Sequence, residues 1–317
     1  MEYDFDKAVS DSFTLYAKWQ KNSSNTTVAL FYHTVKFDSN GGSYVPNKYV
    51  TRFIKLREPR KPIKDNCVFE GWYTDKELEE PYDFDSRVTD SFTLYAKWRK
   101  ATVSDILNTN EHFAYIKGYE DNTVRPEANL TRAEAVEIFF RLLDKNTRDV
   151  NLSQVNDFVD AKPYAWYNVS LSTMAKLGIV NGRENGFFAP DEYITRGEFA
   201  AICARFDHSD YKVEETFSDV KGHWAEDEIY EASAHGWIGG YPDGTFKPQG
   251  LITRAEAITM INRMLGRTPT SPSDLHVNMK KWSDNPENAW YYIAVQEAAN
   301  THSYVKSNGE KWTDVNE

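Results

Sequence analysis

Three arginines of this chain share one local context: Leu130-Thr131-Arg132-Ala133-Glu134, Ile194-Thr195-Arg196-Gly197-Glu198 and Ile252-Thr253-Arg254-Ala255-Glu256. Thr followed three positions later by Glu is a capping box, in which the hydroxyl accepts from the third helical N–H and the carboxylate reaches back. Thr131/Glu134, Thr195/Glu198 and Thr253/Glu256 are therefore explained as helix caps, each worth about 1 kcal/mol. The arginines then fall at the first helical position, where the macrodipole disfavours a cation by roughly 0.3–1 kcal/mol. A residue set against its local field three times needs an offsetting role. Either it bridges to a neighbouring carboxylate, or it holds an anion beside the free N–H groups of the helix start. A guanidinium suits both tasks, because its planar fork engages a carboxylate bidentately and keeps its charge near neutral pH.

The elements around these arginines repeat with them. Gly118 to Thr131, Gly182 to Thr195 and Gly240 to Thr253 align without gaps. Apolar stripes follow: Ala135, Ile138, Phe139, Leu142; Phe199, Ile202, Cys203, Phe206; and Ala257, Met260, Ile261, Met264. The spacing i, i+3, i+4, i+7 is one face of an α-helix. Trp166 and Trp224 each stand 30 residues before an arginine of the set, Arg196 and Arg254. Each tryptophan heads a second helical stretch that Gly178 or Gly236 should stop. Each unit is thus expected to run helix, short strand and turn, helix. In Tyr241-Pro242-Asp243-Gly244 the proline and glycine fit a type I turn. The first turn has Asn122 in place of the final glycine, and the second reads Arg183-Glu184-Asn185-Gly186, without Tyr or Asp.

A different repeat occupies the first hundred residues. Tyr3–Trp19 and Tyr82–Trp98 are nearly identical, offset by 79 positions. Phe92, Leu94, Ala96 and Trp98 alternate with Thr93, Tyr95 and Lys97, the period of a half-buried strand. Val35 and Phe37 alternate likewise, Asn40-Gly41-Gly42 signals a turn, and Pro59 and Pro62 break the middle. This is a small β unit. Because Met1 falls inside a repeat and no basic or apolar leader follows it, the chain reads as a fragment whose signal peptide lies outside it.

Composition bounds the function. The 317 residues carry 37 Lys+Arg and 48 Asp+Glu, a formal charge of −11. Residues 1–100 hold 16 basic and 15 acidic side chains, so the acidity belongs to residues 101–317. An acidic domain is poorly suited to nucleic acid, whose counterions are displaced by Lys and Arg. Aromatics at 15% argue against disorder. Two cysteines exclude a disulfide scaffold or thiolate zinc cluster; Cys67 and Cys203 both read as buried and inert. No apolar run is long enough for membrane insertion.

VKFDSNGG, FEGWYTD and FTLYAKW together resemble the Listeria–Bacteroides repeat, which implies a β-grasp-like fold and a spacer role. The segment 217–265, FSDVKGHWAEDEIYEASAHGWIGGYPDGTFKPQGLITRAEAITMINRML, closely resembles the S-layer homology (SLH) domain. That resemblance implies a mainly helical, pseudo-threefold assembly of three units. It further implies non-covalent binding of a secondary cell-wall polysaccharide, commonly through an anionic, pyruvylated sugar. Carried onto this sequence, the carbohydrate site draws on Arg132, Arg196, Arg254, Trp166, Trp224, Trp290, Tyr119, Tyr241, Asp121, Asp243 and Gly240. Indole and phenol faces would meet sugar C–H groups there. By similarity to a binding-competent unit the order is third, first, second.

The expected layout is a truncated β-repeat tail at 1–20 and a complete β repeat at 21–100. SLH unit 1 follows at 101–148 with its TRAE half only, then unit 2 at 149–210 and unit 3 at 211–270. Residues 271–317 form a half unit, since Trp282-Ser283-Asp284 matches Phe217-Ser218-Asp219 and Trp290 matches Trp224. An unpartnered amphipathic helix leaves apolar surface in water at ~25 cal/mol per Å². The two halves are therefore expected to dock, bringing 113–143 beside 281–304 and closing three units. His302 replaces the expected stop glycine, which leaves that helix's exit open.

The resulting expectation is a non-enzymatic, extracellular module that anchors a surface protein of a Gram-positive-type bacterium to the glycan linked to peptidoglycan. No cofactor and no metal are expected, because the seven histidines are scattered without a ligand pair on a helix face. No GxSxG, Walker loop or catalytic cysteine context occurs. The alternative function is a structural or adhesive module that binds a protein partner or self-associates into a lattice without recognising glycan.

Overall fold

The structure is a computed structural model that describes residues 14, 17–18, 32–64, 67–209, 216–267, 269–306 and 309–316. The expected repeat tail at 1–20 lies almost wholly outside the described residues. The chain divides into two compact units. One holds most of residues up to 96, and the other holds 97–317 with the short segments 41–43 and 62–70.

The β repeat forms strands β1 (Tyr32–Asp38), β2 (Lys48–Thr51), β3 (Cys67–Tyr73) and β4 (Phe92–Lys100). Their order in the sheet is β2-β1-β4-β3, with β1 antiparallel to β2 and parallel to β4. Val35, Leu94 and Ala96 are fully buried, as the alternation requires. Phe37 meets Trp72 edge to face at 4.9 Å. Asn40 and Gly41 take φ of 47° and 82°, the left-handed turn expected of Asn-Gly. Cys203 is buried, and burial pushes its thiol up, whereas Cys67 is only half-buried on β3, which corrects the expectation for that residue.

The second unit runs α1 (Val103–Ile106), α2 (Arg132–Leu142), α3 (Lys145–Asn151), α4 (Asn168–Lys176), α5 (Arg196–Ala204), α6 (Glu226–Ala234), α7 (Arg254–Met264), α8 (Tyr292–Ala299) and a hairpin of β5 (Thr301–Lys306) and β6 (Glu310–Asn316). All three capping boxes are formed, with Thr131, Thr195 and Thr253 as N-caps. Every residue of the three apolar stripes is buried, and each larger aliphatic or aromatic one contributes about 1.5–3 kcal/mol. Each capped helix packs against a tryptophan-headed one: α2 with α4, α5 with α6, α7 with α8. Gly178 and Gly236 close α4 and α6 at φ of 72° and 74°. At α8 the chain instead leaves through an extended Asn300 straight into β5.

The short strand expected in each unit is reduced to isolated bridges, Asn129 with Thr253, Thr131 with Tyr193 and Thr195 with Leu251. Leu130 N–H donates to Ile252 O (3.3 Å), Ile252 N–H to Ile194 O (3.2 Å), and Ile194 N–H to Leu130 O (2.9 Å). These three bonds close a ring, and all three side chains are buried. A second set of contacts repeats around it. Asp160 accepts from the N–H groups of Phe188 and Ala189, Asp219 from those of Phe246 and Lys247, and Asp284 from those of Val124 and Arg125, all at 2.7–2.8 Å. The second donor in each pair is a non-glycine residue at φ of 51–58°, so the carboxylate holds a backbone turn that costs energy.

Asp284 belongs to the C-terminal segment, and its two donors lie some 160 residues earlier. The same two segments meet where Tyr115 and Ile116 donate to Ala298 O at 3.0 Å, and where Ser283 N–H donates to Asn122 O. Gly118 lies under Trp282; a Cβ there would sit 1.9 Å from the indole. Residues 113–125 and 282–298 are thus packed directly together.

Candidate functional site

The three N1 arginines are buried, at 5%, 4% and 6% exposure for Arg132, Arg196 and Arg254. Each Nε donates to a backbone carbonyl of another repeat: Phe188 (2.7 Å), Phe246 (2.9 Å) and Val124 (2.9 Å). Arg132 Nη1 also pairs with Glu198 at 2.8 Å, and Arg196 Nη1 with Glu256 at 2.9 Å. Arg254 differs. Among the described residues it has no carboxylate at ion-pair distance, and its other side-chain hydrogen bond is a 3.5 Å one to Lys117 O. Burial pushes the Arg132 guanidinium below its ordinary value and Glu198 draws it back, so it stays charged.

The helix starts are not free, which corrects the expectation that their N–H groups could receive an anion. Arg132 N–H donates to Glu192 O and Ala133 N–H to Pro190 O; the same pairs recur as Arg196–Gly250, Gly197–Pro248, Arg254–Ala128 and Ala255–Pro126. The third N–H goes to the capping threonine. Any anion must meet the guanidinium edge, not the helix end.

That edge borders an open cleft in all three cases. The Arg132 cleft, about 960 Å³, also draws on Arg183, Glu198 and Trp224. The Arg196 cleft, about 210 Å³, includes Gly240, Tyr241, Glu256 and Trp290. The Arg254 cleft, about 260 Å³, includes Lys117, Tyr119, Glu134 and Trp166. The pairing is cyclic, so each cleft takes its arginine, its turn and its tryptophan from different repeats. Trp166 and Arg196, 30 residues apart in one repeat, do not share a cleft; nor do Trp224 and Arg254. The three indoles are 62%, 59% and 67% exposed for Trp166, Trp224 and Trp290. They stand largely in solvent and line the clefts.

The turns contribute unequally. Tyr241 donates its hydroxyl to Glu256 at 2.8 Å, and the Arg196 guanidinium lies 4.8 Å from its ring. Tyr119 lies under Arg125 at 3.7 Å and 5.6 Å from the Arg254 guanidinium. Asp121 and Asp243 cap their own turns by accepting from the N–H and hydroxyl of Thr123 and Thr245, and neither lines one of the three clefts. Gly240 is required by packing, since a Cβ would meet Phe217 at 2.6 Å. In the second turn Arg183 takes the tyrosine's place and binds Glu192 and Glu198. The cleft whose turn departs furthest from the common pattern is therefore also the largest and the richest in cations.

Sequence reasoning missed a second arginine in every cleft: Arg205 beside Arg132, Arg263 beside Arg196 and Arg141 beside Arg254, each nine residues after the N1 arginine of its own repeat. Arg141 is held by the carbonyls of Tyr115 and Ala114, and Arg205 by that of Ile179, while Arg263 is exposed. The constant nine-residue offset was visible in the repeats. That each belongs to another repeat's cleft was not.

The fold and clefts define a protein of repeated, capped helices that presents guanidinium-floored, indole-walled grooves at its surface. Residues 33–97 match the Listeria-Bacteroides repeat domain, and residues 113–136, 157–200 and 216–258 match the S-layer homology domain. The chain therefore carries one Listeria–Bacteroides repeat followed by three SLH units. A cellulosome-anchoring protein of Acetivibrio thermocellus is 36% identical over 210 residues, covering 64% of this chain and 46% of that protein. Cell surface glycoprotein 1 of the same organism is 37% identical over 213 residues, 62% of this chain and 9% of that protein. A surface layer protein of Brevibacillus choshinensis is 31% identical over 166 residues, 50% and 14% of the respective chains. The chain spans less than half the length of each. Among the described residues no helix is long and apolar enough to cross a membrane.

Proposed function

We propose that the helical unit anchors its parent protein non-covalently to an anionic, pyruvylated cell-wall polysaccharide. The SLH units and the similarity to anchoring and surface-layer proteins point to a cell-wall location and a non-catalytic role. One observation carries the glycan reading: each of three clefts is lined by both a buried arginine and an exposed tryptophan. The indole face covers sugar C–H groups while the guanidinium edge receives a ketal carboxylate, a charge-assisted bond worth about 1.5–3 kcal/mol. Arg254 carries the least internal competition for that carboxylate, since no glutamate pairs with it.

On this reading the ring of Leu130, Ile194 and Ile252 is the axis of a pseudo-threefold SLH assembly, and residues 271–317 complete the unit begun at 101–148. Units at 149–210 and 211–270 supply the other two thirds. The β repeat at 21–100 serves as a spacer, and the parallel pairing of β1 with β4 supports a β-grasp-like description.

The test is retention of the full chain on purified sacculi. Binding is expected to native sacculi, and to fall at least about tenfold, one such hydrogen bond at 1.4 kcal/mol per decade, on depyruvylated ones. Equal binding after the polysaccharide has been stripped from peptidoglycan would overturn the glycan reading in favour of protein partners or lattice self-association.

A further inference from the structure

A cluster outside the clefts is built from four buried side chains that the sequence sets far apart. His112 lies ahead of the first SLH match, Glu297 on α8, His302 on β5 and Glu310 on β6, each at most 4% exposed. Their ligand-type atoms all lie within 4.8 Å of one another. His112 Nδ1 is 3.0 Å from His302 Nε2, 3.1 Å from Glu297 Oε1 and 3.3 Å from Glu310 Oε1. His302 Nε2 is 3.3 Å from Glu297 Oε2 and 3.9 Å from Glu310 Oε1.

These separations have a simple geometric meaning. A tetrahedral centre with metal–nitrogen and metal–oxygen bonds near 2.0–2.1 Å has donor-to-donor edges of about 3.3 Å. The surroundings orient the donors as an outer shell does. His302 Nδ1 faces Asn300 O at 3.0 Å, which turns the Nε2 lone pair inward. Trp312 Nε1 donates to Glu297 Oε2 at 2.9 Å. Tyr304 and Trp312 stack on His112 and His302, each at 3.8 Å. Glu297 Oε1 is fully buried and faces His112 Nδ1. Two buried carboxylates need positive charge close by. The Arg267 guanidinium is near enough to feel both, but its hydrogen bonds go to the carbonyls of Phe113, Asn108 and Glu111.

We propose that His112, Glu297, His302 and Glu310 bind one zinc-type divalent ion in a closed structural site. Two imidazoles and two carboxylates suit zinc, and complete burial leaves no room for the waters or the six to eight oxygens that magnesium or calcium requires. The ion joins the segment before the first SLH match to α8 and both strands of the terminal hairpin. It thereby fastens the two ends of the helical unit, where His302 N–H already donates to His112 O at 2.9 Å. The expectation from sequence was that no metal is bound; the proposal departs from it because residues 190 positions apart converge only in the folded chain.

The experiment uses the tag-free full chain, stripped with chelator and then titrated with zinc(II) and, separately, cobalt(II). One equivalent of zinc is expected, with a higher melting temperature, and cobalt should give the intense visible bands of a tetrahedral site. Glu297→Gln, which keeps the shape and can still accept from Trp312, should weaken zinc binding by more than the roughly tenfold that loss of an outer-shell partner costs. Absence of zinc binding and of any melting shift in excess zinc would overturn the proposal, leaving the cluster neutralised by protons. Unchanged cobalt bands and affinity in Glu297→Gln would overturn it as well, since the ion would then sit elsewhere.

Discussion

Arg196 Nη1 and Glu256 Oε1 lie 2.9 Å apart across two different repeats, and the same carboxylate oxygen also accepts the hydroxyl of Tyr241. Glu256 meanwhile caps α7 through Thr253. The glutamate of the capping motif therefore does two jobs, closing its own helix and neutralising the preceding repeat's arginine. Arg132 and Glu198 repeat the arrangement, and Arg254 with Glu134 does not.

This asymmetry separates stability from binding. Arg196→Ala strands a largely buried carboxylate and is expected to cost about 3 kcal/mol in urea unfolding. Arg254→Ala leaves no such orphan and should cost clearly less, while weakening retention on sacculi about tenfold or more. If the two substitutions destabilise equally, the distinction between the clefts is wrong.

The exposed indoles give the complementary case. Trp166→Ala, Trp224→Ala and Trp290→Ala remove side chains that stand mostly in solvent, so each should alter stability by within about 0.5 kcal/mol. Each should nonetheless reduce sacculus binding, and the triple variant should abolish it while its melting temperature stays close to that of the parent chain. A large loss of stability would instead assign these residues a structural role.

Asp284 tests the junction of the two chain segments. Its carboxylate accepts from Val124 and Arg125, the latter at φ of 51°. Asp284→Ala should cost about 2–3 kcal/mol, the scale of bonds to a charged acceptor plus a freed strained turn. Hydrogen exchange should then quicken first at the amides of Val124 and Arg125, ahead of those in α5.

The acid limb of stability should involve Asp105. Its bidentate pairing with Arg99 and its bonds from Thr102 outweigh burial and hold the carboxyl at about 2. A depressed acid stabilises the fold above its unfolded value near 4 and loses that contribution as pH falls towards 2. Asp105→Asn should therefore be the less stable protein at pH 7, and its stability should fall less steeply than the parent's between roughly pH 4 and 2. Parallel curves from denaturant titrations across that range would refute the assignment.

Much of the helical unit was readable before folding. Capping boxes, apolar stripes and stop glycines are local, so their consequences lie within a few residues of the signal. Thr253 and Glu256 cap α7 whatever surrounds them, and Gly236 ends α6 because its φ of 74° is cheap only for glycine. The match of Trp282-Ser283-Asp284 to Phe217-Ser218-Asp219 located the aspartate whose carboxylate clamps a distant turn, although the clamp itself was not foreseen. The closed ring of Leu130, Ile194 and Ile252 with its isolated bridges, in place of three strands, escaped notice because pairing partners are chosen by tertiary contact, not by β-propensity.

Arginine identity, turn chemistry and tryptophan spacing were written in the linear order of residues, because helices and turns form over short reach. Which arginine meets which tryptophan was not, for that depends on how three repeats pass their turns to one another around a common ring. The same holds for the pairing of Glu198 with Arg132, for occupied helix starts that looked free, and for His112 beside His302. Such partners are selected by the burial and hydrogen bonding of the assembled core, and no spacing along the chain encodes them.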